Sequence, residues 1–223
     1  MGQIDEFSGW PQTAALGERP QLHPGWWLRA ELQDPSAHPP TVQIDADHVA
    51  HVAKLSLAMF DALGEAGLHE LAPDDRELLW AACMLHDIGV TIDYDDHHRH
   101  SHYLIVNTGL PGYSPRELEL IALIARWHRK GTPDAEQLGA LGEPGDGRRL
   151  LLLCGIIRLA EQLERSRDRS VAGVRLERRK RGIVLHALAN GSRADAGVAL
   201  WSAQRSSGLL AEAVGGPVEI VAG

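Results

Sequence analysis

Cysteine is scarce in this chain. Two occur in 223 residues, Cys83 and Cys154, and both sit inside apolar runs. That placement argues for reduced thiols packed in a core rather than for a disulfide. Positive charge is also in short supply: 22 Lys and Arg face 30 Asp and Glu, a formal net charge of -8. A general nucleic-acid binder carries the opposite balance, so nucleic acid is not an expected partner. No apolar run reaches the length of a membrane span, and the first residues lack the pattern of a signal peptide. Internal repeats and low-complexity segments are missing too. These absences lead to the expectation of a cytoplasmic protein with no membrane partner. A hydrophobic content of 44% allows a real core, and the length suits one large domain or a domain with a small appendage.

Residues 1–40 show no sustained period and carry Pro11, Pro20, Pro24, Pro35, Pro39 and Pro40, which reads as an irregular arm. Trp10, Trp26 and Trp27 set this arm apart from a plain disordered tail. It is expected to dock on the body or on a second subunit, as in a homodimer, and Gly25 to Gln33 fits a short helix. From residue 41 helical spacing takes over. Asp45 to Leu63 reads as a helix capped by Asp45 or Asp47. Pro73-Asp74-Asp75 opens a second helix that runs to His86-Asp87. Residues 90–97 read as a loop, and His98 to Thr108 as a third helix. Ser114 and Glu117 stand at capping-box spacing and open a fourth, which ends near His128. A short helix over Pro133 to Leu141 and a strong one over Arg148 to Glu164 follow. Past Ser170 the pattern changes. Val174 to Glu177 and Ile183 to Leu188 read as strands joined by a basic turn, Ala194 to Val214 as a helix and Val218 to Val221 as a last strand. The expected fold is mainly α: a helical bundle over 41–170, then a small β-β-α-β unit over 171–223.

The stretch Leu79 to Gly89, LWAACMLHDIG, organises the chemistry. An apolar helix that ends in His86-Asp87 must pair those side chains or give them a cation. Taken alone, the pair is more simply a helix cap. Other histidines gather around it, however: twelve in all, with His97, His98, His100 and His102 crowded together inside the chain. If His48, His86, Asp87 and an acid from Glu161 or Glu164 converge, facing helices build a metal site in the way bundles commonly do. His100 and His128, each at a helix end, could then serve a second ion. Two ions bridged by Asp87 would position a water and polarise a phosphoryl oxygen.

Four pieces carry a closer likeness: LHDIG at 85–89, HHRHSHYLI at 97–105, LPGYSPRE at 110–117 and RWHRKG at 126–131. In order and spacing they resemble the C-terminal HD-like domain of the exopolyphosphatase/guanosine pentaphosphate phosphohydrolase family, within the HD superfamily of metal-dependent phosphohydrolases. The resemblance covers about residues 42–170, and the β-β-α-β tail is similar to the end of that family. It implies an HD-type helical bundle with one or two divalent ions (Mn, Fe, Zn or Mg) held by His48, His86, Asp87, His100, His128 and Glu161. His86 and Asp87 would be catalytic. Glu161 stands where the superfamily usually has Asp. Full-length relatives also carry an N-terminal actin-like ATPase-type domain, and here the HD-like domain is expected to stand alone.

The expected activity is hydrolysis of a small phosphorylated compound or nucleotide by a metal-activated water. The alternative is a non-catalytic polyphosphate- or nucleotide-binding regulatory module. His97 and His98 read as a second ligand or as substrate contacts, and Arg129 and Lys130 suit a phosphate-facing helix end. Arg158 and Arg165 flank Glu161 by about one turn each and either bind substrate phosphate or pair with Glu161. His51 reads as a surface residue or one that supports the ligands, and His102 as structural.

Overall fold

The structure, a computed structural model, describes residues 44–191 and 196–223. The arm over 1–40, with its tryptophans and the helix expected at Gly25 to Gln33, lies outside the described residues. The fold is mainly helical with a small three-stranded sheet at its C-terminal end. No helix among the described residues is long and apolar enough to cross a membrane.

Helix α1 spans Ala46–Glu65, and Asp45 caps it by accepting from the His48 amide at 3.0 Å. Its buried stripe is Val49, Val52, Leu55, Met59 and Leu63, spaced for one helix face. Helix α2 spans Pro73–Leu85, with Pro73 at a first-turn position that needs no amide hydrogen. Asp75 there accepts from the Ala72 amide at 3.0 Å. The chain then tightens into a 3-10 turn, Ile88–Thr91, where the sequence suggested a helix stop at Gly89 and a loop from residue 90. Helix α3 is His97–Thr108, one residue earlier than expected. Helix α4 is Pro115–Arg126, and Ser114 and Glu117 form the expected capping box at 3.3 and 2.8 Å. All of Leu120 to Ala125 is buried, so the second half of α4 is covered by α2, α3 and α5. A 3-10 segment, Ala135–Leu141, leads to α5, Asp146–Leu163.

Strands β1 (Val171–Arg178) and β2 (Ile183–Ala189) pair as an antiparallel hairpin. Strand β3 (Val218–Ala222) joins β2 in parallel, so a crossover is required. Two helices supply it, α6 (Gly197–Ser206) and α7 (Gly208–Val214), where one helix over Ala194 to Val214 was expected. The break falls at Ser207, whose hydroxyl donates to the Gln204 carbonyl at 2.9 Å. The Gln204 side chain in turn accepts from the Ile220 amide at 2.8 Å, tying the break to β3. Helix α7 lies directly on α5: a Cβ on Gly155 would stand 3.0 Å from the Leu210 backbone. Arg178, from the basic hairpin, donates to the Ala66 carbonyl at 2.6 Å and so covers the C-terminal end of α1.

A buried ionic knot fastens the N-terminal ends of α2, α4 and α5. Asp146, 1% exposed, accepts from Arg116 at 2.6 Å, from the Glu143 amide at 2.7 Å, and from Arg149. Arg149 also pairs with Asp75 at 2.7 Å. Truncating Asp146 leaves two mostly buried guanidinium groups without their shared counter-charge. Asp146→Ala is expected to cost about 3 kcal/mol. For a chain of this size that lowers Tm by roughly 6–12 °C, and an unchanged melt would show that the knot is not stabilising.

Candidate metal centre

His86 and Asp87 leave the end of α2 where helix becomes 3-10 turn, so both side chains point away from the helix core toward α1, α3, α4 and α5. Gly89 lets the turn approach α3. A Cβ there would overlap the His97 carbonyl and the Ser101 amide, and would stand 2.8 Å from the His100 Cβ. Ser101 locks the approach: its hydroxyl donates to the His86 carbonyl at 2.5 Å and accepts from the Gly89 amide at 2.9 Å. Gly89 is therefore required less as a helix stop than as a place where two backbones touch.

Asp87 lies at the centre of the donors. Its Oδ1 is 3.3 Å from His97 Nε2, 3.6 Å from His86 Nε2 and 3.9 Å from His128 Nε2. Its Oδ2 is 4.0 Å from His48 Nε2. Glu161 Oε2 completes the other side, 3.0 Å from His48 Nε2 and 3.4 Å from His86 Nε2. Two groups of donors result, His48–His86–Asp87 and Asp87–His97–His128, with Asp87 common to both. Ligands of a tetrahedral ion with bonds near 2.1 Å sit about 3.4 Å apart, so these spacings suit a metal.

The imidazoles are held as metal ligands usually are. Nδ1 of His86 donates to the Cys83 carbonyl at 2.6 Å, Nδ1 of His128 to the Ala125 carbonyl at 2.6 Å, and Nδ1 of His97 to the Tyr94 carbonyl at 2.9 Å. A carbonyl accepts only from an N–H, so the Nδ1 proton is assigned and Nε2 is left to face Asp87. His86 Nε2 is buried without a hydrogen-bond partner of good geometry.

The electrostatics follow from crowding. Burial opposes a charge on His86, but the Glu161 carboxylate 3.4 Å away and the charge of Asp87 outweigh it and raise His86 to about 9. Burial and the neighbouring His86 charge push His128 down to about 3. Asp87 is buried too, yet the imidazoles crowded against it, His97 nearest and His86 charged, hold it well below the usual carboxylate range. Glu161 is likewise held low despite burial, by the hydrogen bond from His48 and the charge of His86. Burial lifts the nearby Cys83 thiol to about 12, which leaves it an inert core group.

The matching family model is Ppx/GppA phosphatase, domain III, over residues 40–189. The chain belongs to the Ppx/GppA phosphatase family. The match covers the helical body and extends through β1 and β2, so the donors described above all fall within it.

Several expected site residues stand together in this member of the family, and others do not. His48, His86, Asp87, His128 and Glu161 converge. His100 is the correction: it is only half-buried and joins neither group of donors, and His97 takes the place expected for it. The reason is the Ser101 contact, which turns toward His86 the α3 face carrying residues 97 and 101, spaced by one helical turn. Arg158 does not meet Glu161. Its guanidinium donates to the Trp127 carbonyl at 2.5 and 3.2 Å and to the Gly131 carbonyl at 2.8 Å, capping the end of α4. Arg165 lies past the end of α5 and donates to Gln162 at 3.2 Å, away from the donors. Arg129 stacks over the Tyr94 ring, and Lys130 pairs with Asp96 at 3.3 Å. His98 is buried beside His97 and His128. His51 is buried and bonded to the Val171 carbonyl at 2.8 Å, with Glu164 3.6 Å away, so it ties α1 to β1. His102 pairs with Glu119 and joins α3 to α4.

Two residues that touch this cluster escaped the sequence reading. Ser101 is one. Arg167 is the other: Nη2 lies 3.3 Å from Asp87 Oδ2 and Nη1 3.3 Å from Asp45 Oδ2. Its backbone is left-handed, with φ of 54°, which is costly for a non-glycine residue. No periodic pattern marks it, because it follows the end of α5 in an irregular, charge-rich segment.

Proposed function

We propose that this chain is a metal-dependent phosphohydrolase or phosphodiesterase of the HD type, acting on a small phosphorylated compound such as a nucleotide. One observation carries the reading. His97 Nε2 and His128 Nε2 face each other at 3.3 Å beside Asp87, and each ring's proton is committed to a backbone carbonyl. Two lone pairs so close repel, and a cation relieves them. His48, His86, Asp87 and Glu161 would hold one divalent ion, and Asp87, His97 and His128 a second. Imidazole with carboxylate suits Mn, Fe, Zn or Mg. Such an ion, when bound, lowers the pKa of a water and polarises a phosphoryl oxygen.

The chain supplies the rest. Carbonyl-anchored imidazoles hold the donors in one geometry without reorganisation. Asp87, common to both groups, is placed to orient a water through its carboxylate, and His86 beside it is fixed by its Nδ1 bond to the Cys83 carbonyl. Arg167 stands over Asp87 with its side chain 44% exposed, where a guanidinium can meet an incoming phosphate. His98, Arg129 and Lys130 lie farther out and would meet charge elsewhere on the substrate.

The test is turnover of generic phosphodiesters and a broad nucleotide panel by metal-reconstituted protein. No hydrolysis, together with wild-type metal content in His86→Ala, would remove the proposal. A second reading rests on the family match being to domain III, one part of the family's phosphatase: a module that binds polyphosphate or a nucleotide and regulates. Tight binding without turnover in the presence of Mn selects it.

Metal uptake has a pH dependence of known sign. Below about 9, His86 carries a proton that an ion must displace. His128, at about 3, carries none over the same range. Apparent affinity is therefore expected to rise by up to about tenfold per pH unit from 6.5 toward 9 and then level off. Competition with a metallochromic chelator across that range checks it, and a flat profile would contradict the assignment of His86.

A further inference from the structure

Beside the donors lies a second feature, which includes His98 and Lys130 but centres on residues that the proposed chemistry does not use. A cavity of about 290 Å³ is lined by His98, Arg99, Arg126, Trp127, Lys130 and Gly131. Its volume is at the small end of ligand pockets. We propose that this cavity is a binding site for a phosphate-type oxyanion, formed by Arg99, Arg126 and Lys130 and distinct from the metal centre.

Four observations support it. The first is charge. Three cations line the cavity, and among the described residues the carboxylate that pairs with them is Asp96, 3.5 Å from Arg99 and 3.3 Å from Lys130. Positive charge is left over, in a chain whose overall balance is acidic.

The second is preorganisation. The Arg126 guanidinium lies 5.4 Å above the Trp127 ring, and the indole N–H is fixed by donating to Gln137 at 3.0 Å. A stacked guanidinium loses little freedom when it meets an anion.

The third concerns the two helix ends in the walls. His98 and Arg99 belong to the first turn of α3, the positive end of a twelve-residue helix. The end of α4, on the other side, should present negative carbonyls. Arg158 removes that obstacle by donating to the carbonyls of Trp127 and Gly131. Arg158, expected either at substrate phosphate or on Glu161, thus makes a helix C-terminus compatible with an anion.

The fourth is an unmet need. His98 is 2% exposed, and its Nδ1 has no hydrogen-bond partner among the described residues. A buried polar atom of this kind normally has one.

The site is close to the chemistry. The His98 ring centroid is 6.0 Å from that of His97 and 6.5 Å from that of His128. The oxyanion can be a second phosphoryl group of the molecule being hydrolysed, or free phosphate. Only that link to turnover rests on the proposed function; anion binding does not.

The experiment is calorimetric titration of inorganic phosphate into the full, metal-stripped chain at low ionic strength. Saturable binding is expected, weakened at least tenfold in Arg99→Gln/Arg126→Gln and retained in Arg126→Lys. Asp87→Asn, which impairs the metal centre alone, is expected to bind phosphate as wild type does. Absence of saturable binding would overturn the proposal, as would binding that survives Arg99→Gln/Arg126→Gln but is lost in Arg167→Gln. With metal restored, the two sources separate. If the cavity takes part of the substrate, the double variant raises KM for a substrate with two phosphoryl groups and not for one with a single group. If it takes free phosphate, added phosphate changes the rate on a single-phosphoryl substrate without competing, and the double variant abolishes that effect.

Discussion

Asp87→Asn is expected to strip the protein of retained divalent metal and to lower phosphohydrolase turnover by at least about a thousandfold, roughly 4 kcal/mol of transition-state stabilisation. The argument is positional. Asp87 is the donor common to both groups, with His97, His86 and His128 between 3.3 and 3.9 Å from one of its oxygens and His48 at 4.0 Å from the other. Its carboxylate stays ionised because the imidazoles around it, above all the charged His86, overcome its burial. Asn keeps the shape and removes the charge, and an amide is a poor ligand for a small divalent ion. Elemental analysis of untagged wild type and variant is the direct check, with a thermal melt to show that the fold persists. Full metal retention in Asp87→Asn would defeat the proposed centre. Glu161→Gln should be milder, since Glu161 belongs to one side only.

Gly89→Ala is the second large effect, and it acts through backbone. A methyl group there would overlap the His97 carbonyl and the Ser101 amide, which are fixed parts of α3. Relief requires the 3-10 turn and α3 to separate, at a cost of about 3 kcal/mol. Separation also carries His97 away from Asp87, so metal content should fall even in protein that remains folded. Ser101→Ala probes the same seam without overlap. It removes the two hydrogen bonds that join Ser101 to His86 and Gly89, and about 1–2 kcal/mol of stability. Differential scanning calorimetry and metal stoichiometry on both variants give the answer. A Gly89→Ala protein with wild-type Tm and full metal content would show that the close approach is not required.

The helices were legible where their signals are local. Asp45, Pro73 and the Ser114–Glu117 pair mark starts that the structure repeats, because capping depends on residues within one turn. The split of the last helix at Ser207 was not legible, since it depends on Gln204 reaching β3, a strand distant in sequence. The 3-10 turn after Asp87 was missed for a similar reason: packing on α3 holds it.

The site divides along the same line. The sequence by itself determined that a His-Asp pair ends an apolar helix, that histidines gather near it, and that four motif pieces follow in order. Residue type and spacing carry that information. Which histidine of the 97–102 cluster turns inward was decided by tertiary structure, through the Ser101 contact that sets the rotation of α3. Tertiary structure also took Arg158 to the end of α4 and brought Arg167 to Asp87. Long side chains go where the fold leaves unpaired charge or carbonyls, and one-dimensional spacing does not encode that.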